Sequence, residues 1–308
     1  MKKLQLALLA GGKSGEREVS LKGAEEVAKA LDPQKYDVKR YDPAIDLAKI
    51  ATESNSLDVA FILLHGPFGE DGTVQGFLDL LGIPYQGSGV LGSAIAMDKN
   101  LSKILYRNAG LKVPEWYMAS QEDIENPSKI LGQLGLPLVI KPSSQGSSLG
   151  MSIARSEEDI TEGLKKAFGI DQQVMVEEFI SGREITGGVI GNSELTALPL
   201  VEIIPGDQYE FFDYEAKYKP GASREICPAD LEEAITVRAQ NYALSAHRAL
   251  ELRGYSRTDM IVNGDDIYVL ETNTIPGMTP TSLLPQGAAA AGLDFPALLD
   301  RLIKLALE

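Results

Sequence analysis

A chain of 308 residues, 44% hydrophobic and 24% charged, has the composition of a soluble globular protein, long enough for two or three domains. Its net charge of −15 argues against a nucleic-acid coat or a binder of anionic membranes, both of which need positive surface, but leaves room for a local basic pocket. One cysteine and two histidines put an internal disulfide and a Cys/His zinc site out of reach, and no run approaches the ~18 apolar residues of a membrane span, so a soluble, cytoplasmic protein is expected.

Met1-Lys2-Lys3 ahead of an apolar run has the outline of a signal peptide. Gln5 interrupts that run, however, and Gly-Gly-Lys-Ser with Glu16, Arg17 and Glu18 follows in place of a cleavage site. Residues 4–10 therefore read as a buried first strand entering a glycine turn. Residues 58–64 read as a second buried parallel strand, with helices over 20–31 and 73–81, giving an open α/β sheet in the first ninety or so residues. Ligands gather at the carboxyl ends of such strands, here 11–18 and 65–71. His65, ending the second strand, is placed to touch a substrate, whereas His247, inside a long helix, reads as structural. Gly12-Lys13-Ser14 lacks the first glycine of a Walker A loop, since Ala7 stands there. Gly87-Ser-Gly89-Val-Leu-Gly92 follows only a short Ile-Pro-Tyr and reads as a turn opening a helix.

From Met97 the texture changes. A helix over 98–108, a second near 122–134, a strand over 138–141 and a strand–helix–strand unit over 151–178 suggest a smaller α+β domain. Lys141 ends its strand beside a Gly/Ser loop containing Gly146, Ser147, Ser148 and Gly150, whose backbone N–H groups suit phosphate oxygens. Lys99 alone reads as a surface lysine, and Glu177, Glu178 and Glu184 as solvated charge at a strand–loop junction. Strands over 184–190 and 194–204 precede an aromatic and charged loop, 206–227. A loop of about twenty residues inside a compact domain is a functional lid or is disordered. A helix over 229–252, a hairpin and two terminal helices complete the chain.

The hairpin turns at Asn263-Gly264, between two β-branched runs. With a three-residue loop, 264–266, Asn263 pairs with Ile267 and Asp259 faces Glu271. Arg257, Asp259, Glu271 and Asn273 then share one face. Two carboxylates and an amide oxygen suit a hard cation such as Mg²⁺, which leaves coordination positions for substrate phosphates. A two-residue loop pairs Asp259 with Leu270 instead and turns Glu271 to the other face, leaving a solvated edge. The hairpin residues by themselves leave both readings open.

In chain order, Gly11-Gly-Lys-Ser-Gly-Glu16-Arg-Glu-Val-Ser20, His65-Gly-Pro-Phe-Gly-Glu-Asp-Gly-Thr73, Tyr85-Gln-Gly-Ser-Gly and Met97-Asp-Lys99 are followed by Lys141-Pro-Ser and Gly146-Ser-Ser-Leu-Gly150. Tyr214-Glu-Ala-Lys217-Tyr218, Arg257-Thr-Asp259 and Glu271-Thr-Asn273-Thr-Ile-Pro-Gly-Met-Thr279 complete the set. Together they resemble the D-alanine–D-alanine ligases of the ATP-grasp superfamily over nearly the whole chain. The resemblance implies an α/β protein with an open parallel α/β domain (1–95), then an α+β ATP-grasp fold in two subdomains, 96–181 and 182–308, with 206–227 as a lid. It also implies ATP- and Mg²⁺-dependent joining of two D-alanines through an acyl phosphate, for peptidoglycan precursors, by a cytoplasmic homodimer with no nucleic-acid or membrane partner.

The resemblance carries roles onto matching positions. Asp259 and Glu271 would hold one Mg²⁺ and Glu271 with Asn273 a second, Mn²⁺ being a possible substitute. Lys99, Lys141, Ser147 and Ser148 would bind nucleotide phosphates, with Lys217 reaching the γ-phosphate. Glu177, Glu178 and Ile180 would line the adenine pocket and Glu184 the ribose. Arg257 and the N–H of Gly277 would stabilise the tetrahedral oxyanion. Glu16, near His65, would take the ammonium of the first D-alanine, and Glu16, Ser147 and Tyr218 would tie the domains together. Ser282 and Leu283, at a helix start, would receive the second substrate, whose carboxylate suits a helix N-terminus. Relatives making D-alanyl-D-lactate resemble Phe or His at position 218, so Tyr218 favours the dipeptide. Gln145 departs from the charged residue many relatives carry in the phosphate loop.

Overall fold

The computed structural model describes residues 2–144, 150–206 and 223–308, and among these the strands form three sheets. The first is parallel, in the order β2 (Tyr36–Tyr41), β1 (Leu4–Leu9), β3 (Val59–Ile62). The central strand β1 is apolar on both faces because both are covered. Leu6 and Leu8 enter one core with Val27 and Phe61, while Ala7 and Leu9 enter another with Ile50, Val74 and Leu78. Helices α1 (Arg17–Ala30), α2 (Leu47–Glu53) and α3 (Thr73–Leu81) supply much of that cover. The sequence reading passed over β2 and α2. Only the end tyrosines of β2 are buried and charged residues lie between them, so no apolar run marks it.

The helices α4 (Val90–Met97) and α5 (Lys99–Asn108) lead to the second sheet. As expected, Gly89 precedes a helix rather than a dinucleotide loop, and Asp98 caps α5 by accepting the Leu101 N–H. This sheet is antiparallel, ordered β4 (Trp116–Ala119), β7 (Val174–Glu178), β5 (Leu138–Pro142), β6 (Ser152–Ala154). Helices α6 (Ser128–Leu134) and α7 (Glu157–Phe168) cover it through Ile130, Ile160 and Leu164. The single helix expected near 122–134 is in fact a 3-10 turn, Gln121–Ile124, followed by α6. Pro127, which has no N–H to continue a helical ladder, stands between them.

The third sheet is built on the long strand β8 (Arg183–Gly191), flanked by β10 (Val201–Pro205) and β12 (Gly254–Asn263), with β11 (Ser223–Ile226) and β13 (Asp266–Asn273) outside them. The strand expected over 194–204 is broken into a two-residue β9 (Thr196–Ala197) and β10, with Pro199 between them. Helix α8 (Glu233–Ala249) packs Ala239, Ala243 and Ala246 onto the sheet. The terminal helices are α9 (Leu283–Ala290) and α10 (Phe295–Ala306), and α10 returns to the first sheet, burying Leu298, Leu299 and Leu302 in the core of Leu6 and Leu8. No helix among the described residues is long and apolar enough to cross a membrane.

Candidate active site

The hairpin β12–β13 corrects both sequence readings of its turn. Asn263 pairs with Asp266, so the loop is the two residues Gly264 and Asp265, with Gly264 at φ 57°. A regular ladder from that turn would set Asp259 against Leu270. The register instead shifts between Met260, which pairs with Val269, and Asp259, which pairs with Glu271. Leu270 is the extra residue of a β-bulge. The bulge brings Arg257 opposite Asn273 and Asp259 opposite Glu271, which the three-residue loop had been invoked to do.

Around Asp259, 7% exposed, the polar contacts are dense. The Arg257 guanidinium donates twice, Nε to Oδ1 at 2.9 Å and the terminal nitrogen to Oδ2 at 2.8 Å. The Thr186 hydroxyl on β8 donates to Oδ1 at 2.7 Å and the Asn273 amide to Oδ2 at 3.1 Å. Lys99 of α5 lies 3.3 Å from Glu271, its side chain 11% exposed, so it is not the surface lysine it resembles in isolation. The opposite face of the hairpin ties it to the same helix: the Tyr106 hydroxyl donates to Thr272 at 2.7 Å, and Thr272 lies 3.0 Å from the Thr258 hydroxyl.

One helical turn beyond Lys99, Lys103 is fully buried. Its ammonium lies 2.9 Å from Glu177 of β7, whose other oxygen accepts from Lys141 of β5 at 2.5 Å. Glu177, 4% exposed, is therefore not solvated charge. The two lysines hold its carboxyl below the ordinary range against the upward push of burial. Glu178 donates its N–H to the Glu115 carbonyl, and Ile180 and Glu184 are half-buried where β7 gives way to β8.

On the first sheet, His65 follows β3. Burial pushes its imidazole below the ordinary value, and nearby Arg257 adds to this, while the Glu16 carboxylate pulls the other way. Glu16 also stands against Gly66: a Cβ there would lie 3.3 Å from the Glu16 carboxylate. Glu70 accepts the Gly66 N–H at 2.7 Å, and burial with the Glu16 charge raises its carboxyl to about 8. At the start of α9, Ser282 accepts the Thr279 N–H at 3.1 Å and lies beside Gly277, with Leu283 buried behind it. His247 is buried against Ser256 at 2.7 Å, as its place in a helix suggested.

The structure thus brings Glu16, His65 and Arg257 into one electrostatic neighbourhood, and Lys99, Asp259, Glu271 and Asn273 into another that shares Arg257. Ser147, Ser148, Lys217 and Tyr218, with Gln145, lie outside the described residues. Sequence reasoning missed Glu70, Lys103, Tyr106 and Thr186. Lys103 carried a signal, since it sits four residues after Lys99 and so on the same helix face.

An open parallel sheet, then two antiparallel sheets to which one helix presents Lys103 on Glu177 and Lys99 on Glu271, is the architecture of an ATP-grasp protein. Comparison with known proteins narrows the class. Residues 42–88 match the family model described as D-ala D-ala ligase N-terminus, and residues 105–304 the one described as D-ala D-ala ligase C-terminus. The chain belongs to the D-alanine–D-alanine ligase family. It is 59% identical over 306 residues to the D-alanine--D-alanine ligase of Syntrophobacter fumaroxidans, covering 99% of this chain and 98% of the relative. It is also 59% identical over 308 residues to that of Desulfotalea psychrophila, covering 99% and 96%. Among solved structures, the Bacillus anthracis D-alanine--D-alanine ligase complexed with ATP superposes with a TM-score of 0.85 at 34% identity, covering 99% of this chain and 97% of that one. The VanG D-Ala:D-Ser ligase of Enterococcus faecalis gives 0.85 at 31%, covering 99% and 100%.

Proposed function

We propose that this protein joins two D-alanines into D-alanyl-D-alanine at the expense of ATP, supplying a peptidoglycan precursor. The observation that carries this reading is the bulged hairpin. Asp259 and Glu271 face each other on one side, Asn273 and Arg257 lie beside them, and Lys99 reaches in from α5. The donor set is oxygen-only and its charge is met by Arg257 and Lys99, a balance that Mg²⁺ or Mn²⁺ can enter by sharing the two carboxylates and the Asn273 amide oxygen. Bound there, two such ions would neutralise the transferring phosphoryl group.

The chain's own residues do the rest. Glu16, close to His65, holds the ammonium of the first D-alanine so that the substrate's carboxylate attacks the γ-phosphate, forming an acyl phosphate as ADP leaves. The second D-alanine, held by Ser282 and Leu283 at the start of α9, attacks that carbonyl with its amine. Arg257 and the Gly277 N–H stabilise the resulting oxyanion, and phosphate leaves. Lys99 and Lys141, with Ser147, Ser148 and Lys217, hold the nucleotide phosphates. Glu177, Glu178 and Ile180 line the base, and Glu184 takes the ribose. The three sheets serve as three functional domains, 1–95, 96–181 and 182–308, in a cytoplasmic homodimer.

A D-Ala:D-Ser ligase shares the fold at a TM-score of 0.85, so the choice of acceptor is the reading most in need of test. Tyr218 favours a dipeptide over D-alanyl-D-lactate. Phosphate release with ATP, Mg²⁺ and a panel of D-alanine, D-serine, D-lactate and L-alanine should show highest kcat/KM with D-alanine in both positions. Preference for any other acceptor sinks the dipeptide claim.

A further inference from the structure

The buried cluster around Glu177 holds two cations and one anion. Lys141 is the last residue but one of β5, near the residues leading into the phosphate loop, whereas Lys103 is wholly enclosed. Its ammonium lies 2.9 Å from Glu177, 3.5 Å from the Pro114 carbonyl and 5.6 Å from the centre of the Trp116 ring. Such an excess of buried positive charge is costly unless another anion arrives. On the function proposed above, a nucleotide phosphate is that anion, and of the two lysines it is Lys141, near the end of β5, that would meet it. When Lys141 turns to phosphate, Lys103 remains the one fixed counter-ion of Glu177.

We infer that Lys103, acting through Glu177, sets the enzyme's preference for a 6-amino over a 6-oxo purine nucleotide. The inference rests on the reading that Glu177 lines the base pocket. An ionised carboxylate only accepts hydrogen bonds, so it pairs with the amino group of adenine and repels the carbonyl oxygen at the same position of hypoxanthine. A carboxylate that has lost its counter-ion is protonated more readily or reoriented, and then tolerates that carbonyl. Burial, with Lys141 and Arg107 nearby, lowers the Lys103 ammonium to about 8 while Glu177 opposes the fall, so Lys103 is still charged at neutral pH. Lys103 is a positioning residue and touches no substrate.

The test compares kcat/KM for ATP and ITP in the full-length enzyme with D-alanine and Mg²⁺. Lys103→Met should lower the ATP-over-ITP ratio by about tenfold or more, chiefly through the nucleotide KM, with the D-alanine KM little changed. Lys103→Arg should restore most of the ratio. In a Glu177→Gln background, itself less selective, adding Lys103→Met should change the ratio by no more than about twofold. If Lys103→Met does not fold, Lys103→Gln carries the same comparison. A folded Lys103 variant that keeps the wild-type ratio while Glu177→Gln lowers it overturns the role of Lys103 alone. A Glu177→Gln enzyme with the wild-type ratio overturns the base-pocket reading, and the proposal with it.

Discussion

At the scale of single residues, the site is governed by carboxylates whose charge depends on what surrounds them. Glu70 is the clearest case, raised to about 8 by burial and by the Glu16 charge. Because the folded enzyme keeps the Glu70 proton over a range where the unfolded chain has released it, this group favours folding at pH below the ordinary carboxyl value. That contribution fades as pH rises and is gone above about 8. Glutamine copies the neutral form. Glu70→Gln should therefore leave the melting temperature of the ligand-free enzyme nearly unchanged at pH 4, already raise it at pH 6, and raise it further at pH 9, by at least roughly 2–4 °C. Effects of equal size at pH 4 and pH 9 would show that the Glu70 carboxyl titrates alike in the folded and unfolded chain.

At the scale of elements, the hairpin shows both what the sequence disclosed and what it hid. Asn263-Gly264 marked the turn, and the apolar runs of β1 and β3 marked their strands, because each feature is local. The bulge was not legible, since Leu270 is an ordinary apolar strand residue and only the regular pairing of β12 with β8 puts the extra residue on β13. The burial of Lys103 and Glu177 and the partial enclosure of Lys99 were hidden for a similar reason: a charged residue is recognised as enclosed only when other elements close over it. The hairpin also gives Arg257 two tasks, as a bidentate clamp on Asp259 and as the donor proposed for the oxyanion. Arg257→Ala should lower kcat by about 10²–10³-fold. It should also raise the Mg²⁺ concentration needed for half-maximal activity, since Asp259 loses its orienting partner. A variant in which only the D-alanine KM rises would remove Arg257 from the transition state and leave it a binding role.

At the scale of the whole molecule, the cores divide unevenly among the sheets. Leu6 and Leu8 of the first sheet share one cluster with Ile190 and Tyr255 of the third and with Leu298, Leu299 and Leu302 of α10. The Tyr255 hydroxyl also accepts from Gln86 at 3.1 Å across the same boundary. The second sheet keeps a core of its own, from Ile130 to Val176. Chain order therefore does not set the units of stability: the two ends of the chain, joined by Tyr106, Leu111 and Val113, pack together, and the second sheet with α6 and α7 forms a core apart. In calorimetry the ligand-free enzyme should unfold in two transitions. Leu302→Ala, which opens a cavity at a fully buried position, should cost about 2–5 kcal/mol. That cost should lower the transition of the end-to-end core and leave the other in place, whereas ATP with Mg²⁺, bridging both bodies, should draw the two together. A single transition in the free enzyme, shifted whole by Leu302→Ala, would mean that contacts between the sheets outweigh the separation of their cores.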